Sequence, residues 1–147
     1  EKDPANKVEC LVNQATVKFY MRKYDEAEQE LNAAALLKSD EANIFNTLAM
    51  IQAERGQFTI ALDNVNKALQ IEPEQPYFLN NRGYINMGLK KMSEAEADLN
   101  RSMSIDPYNG WVYRNKGIFY LQQQDGASAE RLLLQALDRD GFTDQIH

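Results

Sequence analysis

The sequence predicts an all-α protein in which antiparallel helix pairs recur every 34 residues. Small residues return at this stride in three series, and large apolar residues return at the same stride in three others. The small series are Ala15, Ala49, Gly83 and Gly117; Ala27, Ala61, Ala95 and Ala129; and Ala34, Ala68, Ser102 and Ala136. The large series are Leu31, Val65, Leu99 and Leu133; Leu11, Phe45, Leu79 and Tyr113; and Val17, Ile51, Ile85 and Phe119.

The spacing inside each unit indicates helices rather than strands. Apolar residues fall three or four positions apart on one helix face, as Val65, Ala68 and Leu69 illustrate. The small residues mark places where two helices approach closely, since a larger side chain would push the axes apart. Each unit therefore consists of two packed helices.

Turn and capping residues divide the first two units into their helices. In the first unit, Asp25 followed three residues later by Glu28 predicts a capped start for the second helix. In the second unit, Gly56 and Gln57 separate the two helices. Pro73 then closes the unit, because a helix cannot continue through this position.

The third and fourth units follow the same plan. Ser93 with Glu96 predicts a capped second helix in the third unit, which Pro107 closes. Gly126 after Asp125 is predicted to separate the helices of the fourth unit. Its second helix is predicted over residues 128–138 and is rich in leucine.

These columns resemble the tetratricopeptide repeat (TPR) family, over four repeats at residues 8–41, 42–75, 76–109 and 110–143. The third repeat matches a common version of the family motif in Asn81-Arg82-Gly83, Ala95, Leu99 and Pro107, and the fourth repeats it in Asn115-Lys116-Gly117, Ala129, Leu133 and Ala136. The resemblance implies a right-handed superhelical solenoid, a single array over residues 1–147. Where leucine is frequent in the family, only Leu48 conforms; the other repeats have Gln14, Arg82 and Lys116.

We make two predictions about the carboxy-terminal end of the array. Residues 144–147 lie where a truncated fifth repeat or a cap helix would begin. Terminal repeats usually have a polar outer face, whereas the last predicted helix is unusually apolar. We therefore hypothesise that the chain self-associates through an uncapped carboxy-terminal helix.

The composition of the chain argues against some classes of partner and leaves its cellular location open. A formal net charge of −6 and a pI near 4.8 count against nucleic acid, which requires a basic surface. No apolar run approaches the ~20 residues needed to span a bilayer, so no direct membrane insertion is expected. A single cysteine excludes an internal disulfide framework. The sequence is compatible with a cytoplasmic or an exported, periplasmic location.

No catalytic or metal-binding pattern is present, so the sequence predicts a non-enzyme with no cofactor and no metal. The only histidine is His147, and no Cys/His cluster has metal-ligand spacing. The acidic residues Glu94, Glu96 and Asp98 are interpreted as a solvated helix face rather than as a general acid and base. Cys10 shares a column with Ile44, Phe78 and Val112 and is expected to be a small buried residue.

The resemblance implies that the first helix of each repeat lines a concave groove that binds a peptide. The groove residues expected from it are Asn13, Asn46, Thr47, Tyr77, Asn80, Asn81, Tyr84, Trp111, Arg114 and Asn115. One column reads Asn13, Thr47, Asn81, Asn115, and such amides can bind an extended peptide backbone or, alternatively, brace the hairpins. Tyr77, Tyr84 and Trp111 are residue types enriched at binding hot spots.

The groove sequence argues against one known ligand class of the family. Co-chaperones of this family hold a carboxy-terminal peptide with two lysines, an arginine and two asparagines. Neither three-repeat window has those cations, and Arg114 alone does not replace them. The leading hypothesis is a non-catalytic protein–protein interaction module. The alternative is a structural scaffold segment of a larger repeat protein, such as an envelope-associated assembly factor.

Overall fold

The computed structural model describes residues 3–139, which form eight α-helices and no strand. The helices are α1 (Pro4–Tyr20), α2 (Tyr24–Leu37), α3 (Ala42–Glu54), α4 (Phe58–Ile71), α5 (Pro76–Gly88), α6 (Met92–Ile105), α7 (Gly110–Gln122) and α8 (Gly126–Arg139). Helices α3, α5 and α7 begin 34 residues apart, and so do α2, α4, α6 and α8. The predicted all-α class of paired helices is confirmed.

The four helix pairs fall into two compact units. The first, Glu1–Pro73, contains α1 to α4, and the second, Glu74–His147, contains α5 to α8. In each unit the helices of a pair pack on each other, and the second pair packs on the first through its leading helix. The predicted cap segment at residues 144–147 lies outside the described residues.

A three-residue turn of one conformation joins the helices of every pair. Its middle residue has a positive φ in all four repeats: 61° at Arg22, 75° at Gly56, 62° at Lys90 and 62° at Gln124. At Lys90, the backbone N–H donates to the Met87 carbonyl at 3.0 Å, and the next N–H donates to the Asn86 carbonyl at 2.9 Å. This is the Schellman arrangement, in which a left-handed residue ends a helix and satisfies its last carbonyls.

The same turn shows that both predicted second-helix caps are wrong. Helix α2 begins at Tyr24 and α6 at Met92, and the residues before them, Lys23 and Lys91, make no side-chain cap hydrogen bond. Because the Schellman turn of the preceding helix already determines where the chain re-enters a helix, Asp25 and Ser93 lie inside the first turn instead of at its boundary.

The start of the last helix is also corrected. Gly126 is the first residue of α8 and not a separator, so this helix begins two residues before the predicted Ser128. The Asp125 carboxylate accepts a hydrogen bond from the Ser128 backbone N–H at 3.1 Å, which is an N-terminal cap. The pKa of the exposed Asp125 carboxyl is lowered mainly by the Ser128 hydroxyl and, to a smaller extent, by this backbone N–H.

Small residues bring the helices of each pair into close contact. Ala15 and Ala49 have no exposed surface. At the equivalent Gly83, an added Cβ would lie 2.8 Å from the Leu99 side chain, and at Gly117 it would lie 2.7 Å from Leu133. The four repeats therefore differ in how closely these helices approach, since the last two have no room for the methyl group that the first two carry.

Cys10 is exposed, so its predicted burial is wrong. The other members of its column, Ile44, Phe78 and Val112, are at most 2% exposed. In unit one, Ile44 packs into the core formed with α1 and α2. Within residues 3–139 no helix pair precedes α1, so Cys10 has no such core to enter, and Val17 of the same face is 59% exposed.

The leucine-rich last helix buries part of its apolar surface. Leu132 and Ala136 lie in the core of unit two, and Leu133 and Leu137 are half-buried. Leu134 is exposed. Self-association through this helix stays a prediction.

Candidate binding surface

A polar contact joins the two helices of a pair at one position in the first three repeats. Lys18 donates to Glu30 in the first, Asn64 Nδ2 donates to Gln52 Oε1 at 2.8 Å in the second, and Asn86 Nδ2 donates to Asp98 Oδ2 at 3.4 Å in the third. These contacts follow the 34-residue stride. In the fourth repeat the same positions hold Tyr120 and Leu132, and Leu132 is buried.

The third repeat has the strongest of these contacts because Arg82 also binds Asp98. Its Nε and Nη2 atoms each lie 2.7 Å from a carboxylate oxygen of Asp98, a bidentate pair. The Asp98 side chain is 10% exposed and that of Arg82 29%. The hydrogen bond to Asp98 raises the pKa of the Arg82 guanidinium.

The interpretation of Asp98 as part of a solvated acidic face is therefore wrong. Glu94 and Glu96 are exposed, but Asp98 is buried and serves as the partner of Arg82. Position in the helix decides this, because Asp98 lies one turn after Ala95 on the face that packs on α5, where a carboxylate is retained only with a partner. The pair explains why Arg82 stands where leucine is frequent.

Lys116 occupies the position of Arg82 in the fourth repeat, but Leu132 replaces its acidic partner. Burial lowers the pKa of the Lys116 ammonium, because desolvation disfavours the charged form. Glu96 acts in the opposite direction and Arg131 in the same one, and both effects are smaller than desolvation.

The predicted groove residues of unit two lie on the leading helices α5 and α7, which pack against each other. A buried amide pair connects these helices: Asn115 Nδ2 donates to Asn80 Oδ1 at 3.0 Å, and both side chains are less than 5% exposed. These two asparagines brace α5 against α7, which is the structural alternative that their sequence left open.

Larger side chains within four residues of Asn80 on α5 or of Asn115 on α7 form a set that we call the α5–α7 face: Tyr77, Asn81, Tyr84, Trp111 and Arg114. Tyr77 is 53% exposed, and the other four are half-buried. Arg114 lies over the Trp111 ring, with its Cζ 5.8 Å from the ring centroid. Arg114 Nη1 also donates to Asn115 Oδ1 at 3.2 Å, so the guanidinium is held by two neighbours on its own helix.

The predicted groove residues of unit one are less uniform. Asn13 is exposed and lies along an open groove on α1 that also includes Asn6, Cys10 and Val17. Asn46 is half-buried and Thr47 is buried. The column of Asn13, Thr47, Asn81 and Asn115 therefore does not present four equivalent exposed amides, because burial at each position depends on the local helix packing.

Residues 3–139 contain neither a candidate metal site nor a candidate membrane-spanning helix. No group of three or more Cys, His, Asp or Glu side chains in this part of the chain has a geometry suited to a metal ion. None of the described helices is both long enough and apolar enough to cross a membrane.

Three features were not predicted from the sequence: the Arg82–Asp98 pair, the Asn80–Asn115 hydrogen bond and the left-handed residue of each turn. The stride contained a signal for the turn, because Gly56 shares its column with Arg22, Lys90 and Gln124. No such signal existed for the amide bridge, since Asn80 and Asn115 belong to different columns.

Comparison with known proteins agrees with this geometry. A family model described as tetratricopeptide repeat matches residues 46–110. Comparison with curated protein sequences gives no significant match.

Several solved structures have the same fold. That of pilF from Pseudomonas aeruginosa aligns with a TM-score of 0.80 at 20% identity, over 95% of this chain and 64% of its own length. A thermophilic TPR protein from Thermus thermophilus aligns at 0.83 and 16% identity, over 91% of this chain and 75% of its own. The first TPR domain of Spaghetti, bound to the HSP90 peptide SRMEEVD, aligns at 0.71 and 19% identity, over 81% of this chain and 94% of its own.

Proposed function

We propose that this chain binds a peptide or protein segment on the leading helices of its pairs. Its residues 46–110 match the tetratricopeptide-repeat model and its fold is that of solved TPR structures, a fold that serves in protein–protein interaction or as a scaffold. TPR proteins are generally non-catalytic, and we propose the same of this chain. The principal contact surface is the α5–α7 face in unit two. The observation that carries this proposal is the half-exposed Tyr77, two turns before Tyr84 on α5, together with Trp111 and Arg114 on α7, which packs on α5.

The chemistry of this face suits a peptide ligand. Tyrosine and tryptophan offer large rigid contact areas with a polar tip, and arginine is the other residue type enriched at hot spots. The buried Asn80–Asn115 bridge links the two helices that carry these side chains. A surface held in this way loses little conformational freedom when a ligand binds, which favours affinity.

The ligand mode differs from that of a carboxylate clamp. The Spaghetti domain binds an HSP90 peptide that ends in acidic and apolar residues. At the positions that correspond to the clamp in the first three repeats, this chain has no cation; the residues there are Val12, Thr16, Thr47, Tyr77 and Asn81. A heat-shock tail is therefore not the proposed ligand.

The test replaces the most exposed aromatic residue of the face. Tyr77→Ala is expected to weaken partner binding by about 2 kcal/mol, because it removes a hot-spot side chain. Binding is measured by quantitative affinity capture from a cell extract, with wild type as reference. Asn115 is a poor probe, since it is buried and its loss would disturb the packing of α5 on α7.

Tyr108→Ala is the matched control. Tyr108 is a tyrosine of the same unit, 79% exposed, in the loop between α6 and α7. Circular dichroism should give the same helicity for both variants. Equal loss of partners from both variants, or no loss from either, would contradict a ligand surface at Tyr77.

The alternative, a scaffold segment, is favoured by a different observation. Val17 on α1 and Met21 directly after this helix are 59% and 57% exposed, and both line the open groove together with Cys10. Because Cys10 is the only cysteine and is exposed, a photo-crosslinker can be attached there alone. If the chain is a scaffold segment, one partner protein should be cross-linked through Cys10, and the Tyr77→Ala variant should still capture that protein. Capture through Tyr77 without any Cys10 product would count against it.

A further inference from the structure

We propose that the partner presents a carboxylate to Arg114, next to an apolar or aromatic side chain that packs on Trp111 and Tyr77. This inference rests on the proposed function, since it names the chemistry of the segment bound on the α5–α7 face. The proposed ligand is thus an acidic segment with an adjacent apolar residue, recognised by one arginine and not by a multi-cation clamp.

Arg114 is already held in one orientation by its neighbours on α7. Its guanidinium lies over the Trp111 ring at 5.8 Å and donates Nη1 to Asn115 Oδ1 at 3.2 Å. Asn115 is in turn held by Asn80. An arginine that is already oriented loses less entropy when it binds a carboxylate, and its planar guanidinium has five donors, of which this contact uses one.

Arg114 has no carboxylate partner among residues 3–139. In this part of the chain Arg55, Arg82 and Arg101 each bind a carboxylate at 2.8 Å or less. Of the arginines that make no such pair, which are Arg22, Arg114, Arg131 and Arg139, only Arg114 belongs to the α5–α7 face. Arg114 makes no ion pair within that part of the chain, although it is half-buried beside an aromatic ring. It is also the only charged member of the α5–α7 face, so an incoming carboxylate would meet no acidic neighbour on that face.

Unit two carries less negative charge than unit one. Residues 1–73 contain eight basic and twelve acidic side chains, and residues 74–147 contain eight basic and ten acidic side chains. The formal net charge is therefore −4 for unit one and −2 for unit two. An acidic segment is repelled less by unit two, which favours the α5–α7 face over the groove on α1.

The experiment uses two oriented decapeptide libraries with blocked termini. Both have a central phenylalanine, followed by glutamate in one library and by glutamine in the other. The intact chain is immobilised, and retention of each library is compared. We expect the glutamate library to be retained about fivefold better by wild type, the size of effect typical of a partly exposed charge pair.

Arg114→Gln should reduce this ratio to about one, and Arg114→Glu should invert it. Arg101→Gln is the matched control: it changes the net charge equally, and Arg101 pairs with Glu74 and lies on α6, outside the α5–α7 face. Because Trp111 is the only tryptophan, its fluorescence reports whether a retained peptide binds beside it.

The outcomes separate this inference from the proposed function. Equal retention of both libraries by wild type, with loss from Tyr77→Ala, would leave peptide binding on this face in place and overturn the acidic preference. A glutamate preference that Arg101→Gln abolishes as strongly as Arg114→Gln would reduce it to overall charge. If neither library is retained above a blank support, the groove proposal itself fails.

Discussion

The Arg82–Asp98 pair invites a double-mutant cycle whose replacements already exist in the same chain. At the position of Arg82 the second repeat has Leu48, and at the position of Asp98 the fourth repeat has Leu132. The variants are therefore Arg82→Leu, Asp98→Leu and their combination, each taken from an equivalent site of the same fold.

The magnitude follows from burial. Removing one member of a fully buried pair costs about 3–5 kcal/mol, and an exposed pair contributes about 0.2–1 kcal/mol. With Asp98 10% and Arg82 29% exposed, the pair lies between these limits. We expect Asp98→Leu to lower the free energy of unfolding by about 2 kcal/mol, because it leaves Arg82 without its carboxylate. The double variant should lie within about 1 kcal/mol of wild type, since no buried charge is then unpaired.

Urea unfolding, followed by the fluorescence of Trp111, measures the unit that contains the pair. The surface pair Arg101–Glu74 serves as the control, because its side chains are 54% and 65% exposed. Glu74→Ala should change the free energy of unfolding by less than about 0.5 kcal/mol. If Asp98→Leu cost no more than Glu74→Ala, or if the double variant were less stable than the Asp98→Leu single variant, the account of this pair would be refuted.

Three other predictions concern the turn, at Lys90 and Gly56, and the half-buried Lys116. Lys90→Gly should raise the free energy of unfolding by about 0.5 kcal/mol, because glycine tolerates the positive φ of 62° but gains freedom in the unfolded chain. Gly56→Ala should lower the free energy of unfolding by about 1 kcal/mol, although the added Cβ would meet nothing within 4 Å. Thermal unfolding measures both variants. A change of the opposite sign in either variant would contradict a conformational cause. The pKa of Lys116 is lower in the folded state than its ordinary value of 10.5. Between the lowered pKa and pH 10.5 the unfolded state therefore binds more protons than the folded state. The destabilisation caused by burying the ammonium decreases as pH rises through this range. Lys116→Met should therefore be more stable than wild type at neutral pH by a margin that narrows as pH rises, and a margin independent of pH would exclude this cause.

The helix pairs could be predicted from the sequence because the evidence for them is periodic. The alanine column that includes Ala27 and Ala95 predicts close helix packing, and both residues have no exposed surface. Pro73 and Pro107 follow the ends of α4 and α6, as expected from a residue that has no N–H to continue a helix. Each of these features acts through its own chemistry, independently of the rest of the fold.

Capping was mispredicted because it depends on the turn that precedes the helix. Asp25 and Ser93 have the right chemistry for a cap, but the Schellman turns before α2 and α6 place the helix boundary at Lys23 and Lys91. Of the four turns that join the helices of a pair, three have a left-handed residue other than glycine, so the positions of glycine could not locate these turns in the sequence. Backbone hydrogen bonds at the end of the first helix decide where the second begins.

By itself, the sequence of this protein determined that helices pair at a 34-residue stride and which small residues of each repeat pack between them. The tertiary structure decided what the remaining side chains do. Cys10 shares its column with buried residues but is exposed, because within the described residues no helix pair precedes α1. Asn115 shares a column with the exposed Asn13 but is buried against Asn80. A repeat assigns the same position to residues in every unit, whereas burial depends on which neighbours each unit has.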